Sequence, residues 1–149
     1  MRPRTDFWLT VVLFLVLGAP ACAPPTNYDL AITDARVFDV HTGQAPGRST
    51  ILIRDGLMTE GSASNIFVVV NDTLVTPPKG PFILPGVTRD LVLELAHAHR
   101  IACVERPVTE AELRTASEVM LSSSIKELLP ITRLDGRPVG SGKPGPRCA

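Results

Sequence analysis

One stretch limits what this chain can fold into more than any other. It runs Glu60-Gly-Ser-Ala-Ser-Asn65-Ile-Phe67, then Leu74-Val-Thr76, then Leu84-Pro-Gly-Val-Thr-Arg89. Residues 65–70 and 74–76 are short runs rich in β-branched residues, and Asn71-Asp72 between them predicts a hairpin. Pro85-Gly86 is a turn signal. Behind it, Leu91, Leu95 and Ala98 fall at four- and three-residue steps, which predicts a helix over residues 88–99. Thr88 is placed to be its N-cap. A helix start of this kind presents backbone N–H groups, and the dipole favours negative charge there. Gly86, Val87 and Thr88 are therefore candidate donors to an anion.

The same reading continues to the C-terminus. Residues 101–106 read as a strand, and Thr109-Glu-Ala-Glu112 is a capping box that opens a short helix. Residues 118–122 are strand-like. Residues 128–134 and 137–139 form a hairpin across Asp135-Gly136, a strong turn pair. The order of strands and helices predicts a mixed α/β (α+β) domain over residues 57–146.

Taken together, in this order and spacing, Glu60–Phe67, Leu74–Thr76 and Leu84–Arg89 resemble the signature of the fold-type IV (class IV) pyridoxal-phosphate aminotransferases. That family includes D-amino-acid and branched-chain aminotransferases and aminodeoxychorismate lyase. The resemblance covers about residues 56–146. It implies the C-terminal part of the D-amino-acid aminotransferase-like fold, truncated, with an amino acid and a 2-oxo acid as substrates and with oligomers possible. Pyridoxal phosphate is an electron sink whose reactivity depends on charge at its ring nitrogen. By resemblance Glu60 keeps that nitrogen protonated, Asn65 belongs to the cofactor site, and Val87 and Thr88 hold the phosphate. Ser122-Ser-Ser-Ile-Lys-Glu127 with Pro130 resembles a further family element, in which Ser123 and Ser124 are the phosphate-binding hydroxyls. Gly142–Pro146 resembles the segment that leads into the family's last helix.

The family's Schiff-base lysine lies well upstream of the glutamate. This sequence has lysines only at 79, 126 and 143. None sits in a matching context, so no catalytic residue is assigned and the chain alone is expected to be inactive. Lys126, next to the serine turn, is the one conceivable surrogate amine.

Residues 1–22 read as a targeting segment. Arg2 and Arg4 form a basic start, residues 7–17 are an apolar run interrupted by Thr10, and Ala19-Pro20-Ala21 gives a small-x-small pattern before Cys22. The arrangement resembles a bacterial lipoprotein signal with Cys22 lipidated. A plain cleaved signal peptide and an uncleaved anchor remain open. The implied location is the periplasm or cell envelope, with membrane attachment through the N-terminus, or the cytoplasm if that terminus is not genuine. Residues 23–56 read as β-strands: a strand, a turn at Thr33-Asp34, a second strand, turns at Thr42-Gly43 and Pro46-Gly47, and a strand over 49–54. Residues 29–43 and 51–56 resemble the N-terminal strands of the amidohydrolase superfamily and carry none of its catalytic residues. The two resemblances meet at Asp55-Gly56, where a recombined gene, a decayed gene or an assembly artefact would each place a join. A non-catalytic exported binding module and an amidohydrolase-fusion fragment are the alternative functions.

Composition excludes other classes. The formal net charge is zero over 149 residues, so nothing recruits nucleic acid. His97 and His99 lie two apart on a predicted helix and point to different sides, so no metal site is assigned. Cys103 and Cys148 are expected to be unlinked thiols. A half-enzyme should also expose apolar surface, with Ile66–Val70, Leu91 and Leu95 as the candidates.

Overall fold

The computed structural model describes residues 28–148; the targeting segment, Cys22 and the tether that follows lie outside them. The described residues form a mixed sheet and two helices. The strands are β1 Leu30–Asp39, β2 Gln44–Arg54, β3 Leu57–Gly61, β4 Asn65–Val70, β5 Thr73–Thr76, β6 Cys103–Glu105, β7 Glu118–Ser123, β8 Glu127–Leu134 and β9 Arg137–Pro138. Helix α1 is Val87–Ala98, between β5 and β6, and α2 is Glu110–Thr115, between β6 and β7. The strand order is β3-β2-β1-β8-β7-β4-β5-β6, with β9 pairing β8. Every pair is antiparallel except β5–β6, which α1 connects in parallel.

Three two-residue loops turn the sheet: Asp55-Gly56, Asn71-Asp72 and Asp135-Gly136. Both residues of each loop have positive φ. That is the type I′ geometry whose twist matches the flanking strands, and it explains why Asx and Gly stand there. The hairpins expected at Asn71-Asp72 and Asp135-Gly136 are present.

Two expected turns are not turns. Leu30 and Ile32 have one parity and Ala35 and Val37 the other, which suggested a break at Thr33-Asp34. Instead β1 runs through. Ile32 pairs with Ile51 and Ala35 with Ser49, so an extra β1 residue is absorbed in a bulge. The bulge lets Ile32, Ala35 and Val37 all enter the core. Pro46-Gly47 lies within β2, where a second register shift falls between Val37↔Gly47 and Asp39↔Gln44. A bulge tolerates a residue that has no N–H to donate.

The apolar run of β4 is buried on both faces, so it is not the exposed surface expected of it. Ile66 and Val68 join a core with Ile32, Ile51, Ile53, Val119, Leu121 and Ile131, capped by Leu113 of α2. Phe67 and Val69 face the other way, against Met120 and, from α1, Leu93 and Ala96. A strand covered on both sides needs continuous apolar sequence, which is what residues 66–70 supply. Helix α1 packs through Arg89, Leu93 and Ala96. Its second stripe points outward: Leu91 and Leu95 stay about half exposed, and Val87 is 85% exposed.

The short helix α2 depends on its cap. Thr109 Oγ1 accepts from the Glu112 N–H at 3.2 Å, and Glu112 Oε2 accepts from the Thr109 N–H at 3.0 Å. Arg106 donates to the same carboxylate at 2.8 Å. The Arg106 guanidinium, then the Thr109 N–H, hold the Glu112 carboxyl at about 2, below its ordinary 4.5. A lowered folded-state value stabilises above the unfolded one and is lost as pH falls through the folded one. Stability should therefore decline between about pH 4.5 and 2. In Glu112→Gln this component of the acid limb should be absent, as followed by melting temperature against pH.

Candidate cofactor site

The site is built around the backbone of Leu84. Strand β3 ends at Gly61, whose N–H donates to the Ser64 carbonyl at 2.7 Å and closes a tight turn into β4. A Cβ at Gly61 would lie 2.2 Å from Ser64 Oγ and 3.1 Å from the Ser64 carbonyl oxygen, so a larger residue there would require Ser64 to shift. Glu60 and Asn65 therefore flank one compact turn. Glu60 Oε2 accepts the Leu84 N–H at 2.6 Å, and Asn65 Nδ2 donates to the Leu84 carbonyl at 2.7 Å. Both backbone polar groups of Leu84, on two successive peptides, are thus held, one by each residue that the sequence singled out.

This clamp fixes the start of α1. Gly86, not Thr88, is the N-cap, with extended φ −69° and ψ 132°. Any residue can adopt those angles; what Gly86 lacks is room. A Cβ there would sit 2.2 Å from Asn65 Oδ1. Thr88 falls inside the first turn, and no side chain caps the helix. The first-turn N–H groups are left without a side-chain acceptor, an arrangement suited to an anion.

Arg89, whose role the sequence did not reveal, locks the same turn from beneath. It is 1% exposed. Its guanidinium donates to the Pro77 carbonyl at 2.7 Å, to Asp90 at 3.2 Å and to Glu105 of β6. Asp90 also takes the Lys79 ammonium at 2.7 Å, and that bond holds its carboxyl below the usual range. Lys79 is thereby tied to α1. A charged residue at a helix position that turns out to be buried reads in sequence as a solvent-facing one, which is why this clamp was missed.

The expected residues fall into two groups. Glu60 lines a concavity of about 430 Å³ with Tyr28, Thr59, Phe82 and Leu84. Ser123 and Ser124 line another, of about 340 Å³. Val87 and Thr88 line neither of these two. Ser123 Oγ accepts the Lys126 N–H at 3.0 Å and closes the β7–β8 turn. Its neighbour Ser122 pairs directly with Asn65 and shares the α1-facing side of the sheet. The Ser122 hydroxyl is buried with no hydrogen-bond partner, and sequence gave no sign of it. His97 and His99 lie at the far end of α1, about 18 Å from its start. Both are exposed, and among the described residues no His, Cys, Asp and Glu cluster could hold a metal. Cys103 and Cys148 are free thiols, and burial, then Glu118, pushes the Cys148 thiol up to about 11.

The family model for amino-transferase class IV matches residues 45–134. The chain belongs to the class IV aminotransferase family. The match begins inside β2, ahead of Asp55-Gly56. Among curated relatives, the D-alanine aminotransferase of Bacillus licheniformis is 43% identical over 103 residues, covering 69% of this chain and 36% of the relative. The branched-chain-amino-acid aminotransferase-like protein 2 of Arabidopsis thaliana is 40% identical over 96 residues, 64% of this chain and 17% of the relative. The solved branched-chain amino acid aminotransferase of Escherichia coli superposes with TM-score 0.64 and 33% identity, over 71% of this chain and 37% of that one. A T.th. branched-chain amino acid aminotransferase solved with pyridoxamine 5'-phosphate gives TM-score 0.61 and 30% identity, over 64% and 32%. The chain thus spans about a third of the length of the D-alanine aminotransferase it matches.

Taken one by one, the donor types of this class IV chain suit a phosphorylated pyridine cofactor. Glu60 offers an acidic partner for a protonated ring nitrogen. The uncapped start of α1 offers N–H groups and the Ser123-Ser124 turn offers hydroxyls, each of a type suited to a phosphate, but the two do not line one concavity. The clamp makes a specific prediction. Gly86→Ala should destabilise by about 2 kcal/mol through the clash with Asn65, and Asn65→Ala by about 1–2 kcal/mol through the orphaned Leu84 carbonyl. In urea melts the double variant should be less destabilised than the sum, since Asn65→Ala removes the clash.

Proposed function

We propose that this chain is the cofactor-holding portion of a class IV aminotransferase, an activity that moves an amino group between an amino acid and a 2-oxo acid. Pyridoxal phosphate, where bound, supplies an electron sink for the bonds at a substrate's α-carbon. Glu60 holds a proton at the ring nitrogen, and anchoring of the phosphate by both the start of α1 and the Ser123-Ser124 turn requires these two segments, which line no common concavity in the chain by itself, to meet on the ligand. Asn65 keeps Glu60 and the helix start in register through Leu84. The observation that carries this reading is the pair of hydrogen bonds that Glu60 and Asn65 make with the backbone N–H and carbonyl of Leu84, because it ties the acidic group to the uncapped helix start.

We also propose that this 149-residue chain, assayed alone, shows no transamination. A side-chain amine that takes and returns a proton at the α-carbon contributes on the order of 10²–10⁴-fold, and positioning contributes more. Lys79 is committed to Asp90, and Lys126 stands exposed at the serine turn. The segment before Tyr28 supports export with attachment through Cys22; among the described residues no helix is long and apolar enough to cross a membrane.

Calorimetry with pyridoxamine 5'-phosphate, which lacks the aldehyde that modifies lysines at random, tests the cofactor reading. Binding should occur and weaken at least tenfold in Glu60→Gln, a change of about 1.4 kcal/mol. Absence of binding at millimolar ligand would overturn it. A coupled assay with D-alanine or branched-chain amino acids and 2-oxoglutarate should not exceed the free-cofactor blank. Turnover above that blank, abolished by Lys126→Ala, would refute the inactivity proposal.

A further inference from the structure

Three arginines stand in one row across adjacent strands β2, β1 and β8. Arg36 of β1 pairs with Arg48 of β2 on one side and with Arg133 of β8 on the other. Directly paired residues of antiparallel strands project from the same face, and neighbouring strands lie about 4.8 Å apart, so the row spans roughly 10 Å. The face is the one turned away from the core that α2 caps. Ala35 and Val37, on either side of Arg36, are buried in that core, as is Leu134 beside Arg133. All three arginines are exposed. Among the described residues the carboxylate paired with the row is Asp34, 3.1 Å from Arg48 Nε and 4.0 Å from Arg36 Nε. Arg133 donates to the Gly136 carbonyl, which carries no charge. Like charges directly opposite each other cost stability, so the row is unfavourable in the chain by itself. The same face of β1 continues to the half-buried Phe38, and Val40 is 40% exposed at the tip of the β1–β2 hairpin. Cations beside exposed apolar groups are the two components of a surface that rests on a lipid interface.

We propose that this arginine row is a docking surface for an anionic lipid bilayer. The choice of partner rests on the reading of Cys22 as the point of attachment. Strand β1 begins at Leu30, and residues 23–29 between it and Cys22 reach at most about 25 Å. Arg36 lies about 20 Å along β1 from Leu30. A bilayer that holds Cys22 is therefore within reach of the row. An acyl chain alone gives reversible attachment, and a basic patch supplies the second contact that makes it stable. The chain as a whole carries no net charge, so the attraction is local to this face and falls off within a Debye length of it. The row also sets the orientation: β1 lies along the lipid surface, with its Ile32, Ala35 and Val37 side turned away.

Flotation of the full chain with phosphatidylcholine vesicles, with and without phosphatidylglycerol, tests the assignment. The wild-type chain should bind the phosphatidylglycerol vesicles more tightly. That preference should fall about fivefold in each of Arg36→Gln and Arg133→Gln. It should vanish at about 1 M salt, where the screening length is about 3 Å, and Arg36→Lys should retain it. The melting temperature of Arg36→Gln should equal or exceed that of wild type, because the change removes the like charge facing both Arg48 and Arg133. A phosphatidylglycerol preference unchanged in the Arg36→Gln, Arg133→Gln double variant would overturn the surface. If the wild-type chain binds both vesicle types equally and Cys22→Ser loses both, the attachment reading stands and the surface fails. If Cys22→Ser binds both as tightly as wild type, with the arginine dependence intact, the surface stands and the attachment reading fails. Arginine-dependent binding of an oligonucleotide by a chain that ignores both vesicle types would assign the row to nucleic acid and overturn the proposal.

Discussion

The geometry around the Leu84 backbone is the constraint on which the rest of the site depends. One carboxylate takes its N–H and one carboxamide gives to its carbonyl, from residues on either side of a four-residue turn. A loop carrying Pro85 and Gly86 has few bonds of its own, and without partners it would leave the start of α1 undefined. Fixing it from β3 and β4 transfers the rigidity of the sheet to the helix terminus. Arg89 completes the fixation from the buried side by tying the first turn to Pro77 and to β6. The outcome is an uncapped helix start held in place by groups that do not themselves occupy its N–H donors.

The sheet has to be curved for this to work. Strand β3 lies at one end of the strand order and β4 near the other, yet they are joined by the Gly61–Ser64 turn. Curling brings them together, and the bulges of the β1–β2 hairpin are the local devices that bend strands in this way. The two apolar clusters sit on the two faces of the curl, one closed by α2 and the other by α1. β4 belongs to both clusters and is buried at five of its six residues, as is its neighbour β7, and a buried, both-sides-packed strand is a stiff mount for Asn65.

Much of this was legible in the residues. Asx-Asx and Asp-Gly pairs announce type I′ loops by their chemistry, and Thr109 with Glu112 announces a cap, because each is a local requirement met within a few residues. What stayed hidden depends on distant partners. The sequence singled out Glu60 and Asn65, but the backbone groups of Leu84 that they bind lie 24 and 19 residues away. Thr88 looked like an N-cap because threonine suits that role; Gly86 takes it because Asn65 occupies the space a side chain would need. Arg89 at a buried helix position and the unpartnered hydroxyl of Ser122 run against the polarity rules by which a sequence is read. The parity change in β1 was visible, but a turn and a bulge produce the same change, and only the partner strand decides between them.

The central claim is that the acidic group, the helix start and the serine turn act on one ligand. It is tested most directly by residue-resolved ¹⁵N–¹H spectra of the chain during titration with pyridoxamine 5'-phosphate. The account predicts that the amides of Leu84, Val87, Thr88, Ser123 and Ser124 shift together along one saturating isotherm, while those of His97, His99 and α2 stay still. Shifts confined to one of these segments, or different isotherms for Leu84 and for the serine turn, would contradict it.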